Sequence, residues 1–330
     1  MKQFLQKKAK LVFLCMLVLL TCTACANPRG RDGKTLADQI IASEETTIDA
    51  SKINYKDISD KKLKKEIKKN IKDGQYTIQP TTFKNSMSKG WFEGLIVWPI
   101  AQIINLISSK TDAGVGIILT TLLIQMLVFV FTRKSQMSTQ RMQEIQPEIQ
   151  KIQNKYKDKT DERSKMQMAQ EMQNIYQKYD IHPFGSMLIT FIQLPIMMGM
   201  YYATMRSVSV VSGSFMGISL AGTPLDGFKA FDIAYISIYV LMVIFYIVSM
   251  KLPQWLKKWQ DKKDNVKVKK YAQEETNPMA NSMNMSMYFM TAMICIMYIS
   301  WPMAMSFYWL VSSVIRVCQS LILHKVMYKK

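Results

Sequence analysis

Apolar and polar positions are segregated along this chain rather than interleaved. Continuous apolar runs cover 113–132, 184–204, 233–250, 285–300 and 303–323, with polar stretches between them. Each comes close to the roughly 20 residues that a helix needs to cross about 30 Å of hydrocarbon. The pattern predicts five transmembrane helices, bounded at 111–132, 184–204, 233–250, 285–301 and 303–323. A further apolar stretch, 88–110, is interrupted by Glu93, Pro99, Gln102 and Asn105, with Trp91, Phe92 and Trp98 near its start. Aromatic side chains favour the headgroup level, so this stretch is expected to lie in the interface rather than to cross.

Two polar segments have a period of their own. In 133–183, Met142, Ile145, Ile149, Ile152 and Tyr156 recur every three or four residues, as do Met168, Met172, Ile175 and Tyr179 after the polar "KDKTDER". Two apolar seams separated by a polar turn predict an antiparallel helical hairpin, with Pro147 kinking its first arm or marking its start. In 60–71, Leu63, Ile67 and Ile71 form a thin stripe on a lysine-rich helix. That helix either rests on an anionic membrane surface or stands solvated. The expected fold is an all-α polytopic membrane protein. It combines a five-helix transmembrane bundle, a cytoplasmic hairpin and an extracellular interfacial helix.

Charge orients this bundle. The 330 residues carry a formal net charge of +19 with 49% hydrophobic residues. Lysines and arginines crowd 133–183 and the basic loop 251–284, whereas 205–232 holds only Arg206 and Lys229. The positive-inside rule places the hairpin, the basic loop and the tail 324–330 in the cytoplasm and 205–232 outside. Residues 1–24 read as a secretory signal: lysines, the short apolar core Leu11–Leu20, then "TCTACAN". Cys25 follows small residues and is read as the lipidated, palmitate-bearing first residue of a mature chain, although Cys22 stands where leucine is usual. An ordinary cleaved signal or a retained anchor remains the other reading. Residues 25–87 then form an extracytoplasmic tail. The remaining cysteines imply no disulfide framework.

Three blocks carry a family resemblance: "RMQEIQPEIQKIQNKYKDK", "YQKYDIHPFGSMLITFIQLPIMMGMYYATMR" and "NPMANSMNMSMYFMTAMI" with "WPMAMSFYWLVSSVIRVCQSLI". In this order and spacing they resemble the YidC/Oxa/Alb membrane protein insertase family, in its five-span lipoprotein form from Gram-positive bacteria. The resemblance covers roughly 88–323. It implies a chaperone that inserts membrane proteins, and some lipoproteins, through a hydrophilic groove open to the cytoplasm and to lipid. It also implies a place in the bacterial plasma membrane and no cofactor. Nascent membrane proteins and the Sec translocon are the implied partners.

The resemblance sharpens one oddity. The family's groove arginine aligns with Gln125, an uncharged residue in "ILTTLLIQMLVFVF". Gln125 either hydrates the groove or bonds a neighbouring helix. Arg316 lies seven residues after Trp309, on the same helix face, near Ser312 and Ser313. At equal sequence distance from the cytoplasmic end, Arg316 and Gln125 are expected at similar depth. Arg316 either supplies the groove charge or snorkels to the headgroups. The groove candidates are therefore Gln125, Gln193, Trp309, Ser312 and Arg316. Gln319 reads as a packing contact.

The methionines from Met279 to Met305 suit an adaptable apolar surface or ordinary core filling. No Gly-x-Ser-x-Gly or His-Glu-x-x-His motif is present, and the apolar runs hold no paired carboxylates, so an enzyme is not expected. A transporter or channel is the rival class, but coupling carboxylates at mid-depth are lacking. Anionic lipids, and a ribosome at the basic loop and tail, account for the positive charge without DNA.

Overall fold

The computed structural model describes residues 28–159, 161–181, 185–263, 288–289 and 291–328. The signal with Cys25, most of the 251–284 loop, Met279 to Met287, Met290 and the last two lysines lie outside the described residues. Three described helices are long and apolar enough to cross a membrane, within Ala113–Met142, Ile233–Lys263 and Met303–Met327. The second predicted span, 184–204, falls on the 22-residue helix Gly185–Arg206. Of the fourth, 288–289 and 291–298 are helical.

The chain divides into two compact units. The first contains 28–120 and 193–221, the second 121–192 and 222–328. In the first, strands β1 (Thr35–Leu36) and β3 (Ile53–Asn54) pair in parallel, and β2 (Thr46–Asp49) pairs antiparallel with β4 (Gln75–Ile78). Helix α1 (Lys61–Asn70) starts at Asp60, whose carboxylate accepts from the Lys62 and Leu63 amides. Isoleucines 48, 53, 58, 67 and 78 bury together with Val208 and Val211. Full burial of such a side chain stabilises by about 1.5–3 kcal/mol. The described part of the expected tail is thus a folded layer. Both readings of the 60–71 stripe give way to a third, because Ile67 and Leu63 pack into this core.

That layer is joined to the next helices through the polar residues that broke the 88–110 run. Helix α2 (Phe83–Lys89) leads into a π-helical turn, Glu93–Val97, and then α3 (Trp98–Ser108). Trp98 Nε1 donates to the Thr81 carbonyl at 2.8 Å. Buried Asn105 donates to the Ile41 carbonyl at 2.9 Å and accepts from Ser207 Oγ at 2.6 Å and the Ser209 amide at 3.2 Å. The Ile41 amide donates to the Arg206 carbonyl at 2.6 Å.

Helix α4 (Ala113–Glu144) opens with Asp112 accepting from the Val115 amide at 2.9 Å. At 1.5 Å per residue its 32 residues span about 48 Å, well beyond the hydrocarbon thickness. It stops at Ile145, two residues before Pro147, which lacks an amide hydrogen and restricts the residue before it. In the second unit α5 (Gln146–Lys155) and α6 (Glu162–Lys178) form the hairpin. Ile145, Ile149 and Ile181 bury there against Met142, Met172, Ile175 and Tyr179. Polar bonds flank this seam, from Tyr179 Oη to Glu148 at 2.6 Å and from Lys155 and Tyr156 to Glu171.

Helix α7 is Gly185–Arg206, and the stretch after it holds α8 (Val208–Ser212) and a hairpin of β5 (Ser214–Phe215) and β6 (Ile218–Ser219). Helix α9 (Pro224–Ala230) is capped reciprocally by Thr223 and Asp226. Helices α10 (Ile233–Lys263) and α11 (Met303–Met327) then pack together.

Candidate functional site

Helix α4 is amphipathic in the inverted sense. Thr121, Gln125, Val128 and Thr132, three or four residues apart, are buried. Leu123, Leu127, Val130 and Phe131 point outward, Phe131 with 73% exposed. An apolar surface of this extent would be a liability in water and is the required surface in lipid. Helix α11 repeats the arrangement. Ser306, Trp309, Ser312, Ser313 and Gln319 are buried, while Val314, Leu321, Ile322 and Val326 are exposed.

The two inward faces meet in a polar seam. Gln125, only 4% exposed, donates from Nε2 to Ser312 Oγ at 3.4 Å, a long hydrogen bond. Further along, Gln140 Nε2 donates to the Ser320 carbonyl at 3.4 Å, and the Gln140 Oε1 atom is buried with no hydrogen-bond partner. Thr132 Oγ1 turns back to the Val128 carbonyl at 2.7 Å and accepts from Gln136 at 2.9 Å.

Trp309 is the centre of an aromatic cluster. Tyr246, Tyr298 and Tyr308 lie at 6.0, 5.1 and 5.9 Å between ring centroids. The indole Nε1 is buried without a hydrogen-bond partner. Over this ring, at 5.4 Å, sits the Arg316 guanidinium, which also donates to Ser313 Oγ at 2.9 Å. The three tyrosines are within electrostatic reach of it. Among the described residues Arg316 makes no ion pair.

The guanidinium reaches back one helical turn towards the amino-terminal half of α11, the direction in which helical side chains lean. A side chain snorkelling to the far end would point the other way. The side chain that Gln125 meets is Ser312, and Arg316 lies four residues, about 6 Å, further along the same helix.

The structure therefore brings Gln125, Trp309, Ser312 and Arg316 into one neighbourhood. Gln193 belongs to the first unit and is half-buried there, ahead of Pro195 in α7. Gln319 is buried on the inner face of α11. Tyr246, Tyr298 and Tyr308 were not anticipated. Only the spacing of Thr121 and Thr132 around Gln125 carried a signal for the polar face. Among the described residues no cluster of His, Cys, Asp or Glu is arranged to hold a metal ion.

Comparison with known proteins follows this geometry. A family model described as 60Kd inner membrane protein matches residues 105–330. "Membrane protein insertase YidC 1" of Streptococcus pyogenes is 30% identical over 72% of this chain and 75% of its own length. "Membrane protein insertase MisCA" of Bacillus subtilis is 27% identical over 72% of this chain and 80% of its own. A crystallised active YidC insertase overlays with a TM-score of 0.46 at 15% identity, across 79% of this chain. The chain spans 58% of that protein's length.

Proposed function

The chain belongs to the 60Kd inner membrane protein family, and we propose that it is a bacterial membrane protein insertase working through the seam between α4 and α11. The observation that carries this reading is Arg316: a guanidinium in an apolar span, held on Trp309 and Ser313 and lacking a carboxylate among the described residues. A charge at mid-bilayer costs at least about 2.5–3.5 kcal/mol. A resident cation that is not already neutralised can repay part of that cost to an acidic segment in transit. Gln125 supplies two donors and an acceptor beside it but no charge.

The apolar outer faces of the same helices offer the arriving segment a route sideways into lipid. Catalysis of this kind lowers a partition barrier and makes or breaks no bond. In this reading the hairpin receives nascent membrane proteins in the cytoplasm. The Sec translocon, a ribosome at the basic loop and tail, and anionic lipids are its partners. Cys25 carries a lipid outside the cell, where α2 and α3 lie in the interface. Five spans, with the second and fourth through Gly185–Arg206 and 285–301, complete the topology. A transporter finds no support, since the relatives are named insertases and the described spans carry no mid-depth carboxylate.

Site-specific crosslinking tests the proposal. A photoreactive residue at 125, 309 or 316 is expected to capture a nascent membrane protein, and one at the lipid-facing position 131 is expected to capture far less. Equal capture from 131 and 316 would remove the seam from the mechanism.

A further inference from the structure

The seam leaves one cleft unexplained. It lies wholly in the first unit, is open on one side, has a volume of about 260 Å³, and is lined by Lys89, Trp91, Phe92, Glu93, Tyr202 and Arg206 among others. Arg206 forms its floor, donating from Nη1 to Glu93 Oε2 and from Nε to the Gln39 carbonyl at 2.7 Å. Glu93 Oε1, however, is buried with no hydrogen-bond partner. A bare buried acceptor is destabilising, more so when ionised, and calls for a donor.

Lys89 stands at the exposed side of the cleft and donates from Nζ to the Asp38 carbonyl at 3.0 Å. Desolvation and then Arg206 hold its ammonium below the usual lysine value, against the pull of Glu93 and Asp38. An anion beside Lys89 would relieve that strain on its charge. The walls are aromatic. Phe92 meets Trp91 and Tyr202 edge-on at 5.8 and 6.4 Å. Trp91 and Leu95, four residues apart, are exposed beside it. Such residues seat in the headgroup and upper acyl region of a leaflet.

An orphaned acceptor, a nearby cation and an apolar rim describe a zwitterion with a greasy tail. We propose that this cleft binds the headgroup of an amine-bearing phospholipid, the ammonium donating to Glu93 Oε1 and the phosphate accepting from Lys89. Glycerol and the first acyl carbons then lie along Trp91 and Leu95. A choline headgroup has no N–H to donate, and a phosphatidylglycerol offers Oε1 only a neutral hydroxyl, without the positive charge that strengthens a hydrogen bond to a carboxylate. The inference rests on the membrane reading of this chain and not on the insertase reading.

The test is native mass spectrometry of the full-length protein released from mixed-lipid nanodiscs. The lipids are phosphatidylethanolamine, lysyl-phosphatidylglycerol, phosphatidylglycerol and phosphatidylcholine. One or both amine lipids are expected to be retained about tenfold over the other two, the equivalent of one charge-assisted hydrogen bond, and comparing the two identifies the source of the amine. Lys89→Gln and Trp91→Ala change exposed side chains and are expected to abolish that preference with an unchanged melting temperature. Equal retention of all four lipids, an unchanged preference in both variants, or displacement of the lipid by a lysine-bearing peptide would overturn the site. Insertion by the same variants in proteoliposomes is read separately: a fall there with lipid preference intact counts against this site alone, and loss of crosslinking at 316 counts against the seam alone.

Discussion

Two arginines lie near the ends of this molecule's chemical range, and the contrast between them separates structure from function. Arg206 closes α7 with its side chain almost fully buried, its Nη1 paired with Glu93 and its Nε with the Gln39 carbonyl. Arg316 sits inside an apolar helix with a ring, one hydroxyl and no carboxylate among the described residues. A buried ion pair adds little net stability, but removing one member leaves the other charge stranded. Around Arg206 the first region therefore behaves as a fastener, with the second Glu93 oxygen left open. The second region keeps an attraction in reserve, which is useful only for a partner that arrives and leaves.

The largest break in this comparison is Glu93→Ala. It strands Arg206 and is expected to cost about 3–5 kcal/mol, read as a loss of thermal stability and protease resistance in detergent. Asn105→Ala removes three hydrogen bonds at once and is expected to cost about 2 kcal/mol in the same assays, because the Ser207 hydroxyl and the Ser209 amide lose their buried acceptor, while the Ile41 carbonyl keeps only the Val208 amide. Arg316→Ala should behave oppositely. Its melting temperature is expected to hold, while insertion of substrates with acidic translocated tails drops about tenfold, equivalent to about 1.4 kcal/mol. Substrates with neutral tails should be spared. If melting and insertion fall together, Arg316 is a fastener too and the contrast disappears.

Gln125→Leu sharpens the same point at a smaller scale. Its bond to Ser312 is long, and interhelical hydrogen bonds in membranes average about 0.6 kcal/mol, so stability should change by no more than that. The smallest effect is in the hairpin. The hydrogen bond from Lys155 holds the Glu171 carboxyl below its usual 4.5 and raises the Lys155 ammonium above its usual 10.5. The carboxylate's contribution is complete above pH 4.5 and fades as pH falls through the lowered value. Deuterium uptake in α5 and α6 should rise on acidification below pH 4.5, and Glu171→Gln should remove that response.

Much of the membrane architecture was legible because lipid imposes a local rule. A helix must satisfy its own backbone and face hydrocarbon over its whole length, so the apolar run of α10 or α11 announces itself in consecutive residues. The hairpin was legible for a related reason, since Ile145, Ile149 and Ile175 recur at the helical period and pack on each other. Half of the seam was also visible, in the odd polarity of Gln125 and Arg316. Its aromatic lining was not, because Tyr246 and Tyr298 come from other segments and look like any other tyrosine in a span.

The amino-terminal layer shows the opposite case. Ile48, Ile53 and Ile78 stand singly among lysines and threonines, and only the pairings of β2 with β4 and of β1 with β3 collect them. Nothing local marks them as a core.

From its residues alone, this protein's chain sets the class, the places of its apolar runs and an expected side of the membrane for each loop, because hydrocarbon thickness and positive charge act on consecutive residues. Tertiary structure decides what each polar exception is for. Glu93 and Arg206 are 113 positions apart, and Gln125 and Ser312 are 187. Whether a buried polar group is matched or left bare depends on which distant group folding brings within about 3 Å of it, and no local pattern encodes that distance.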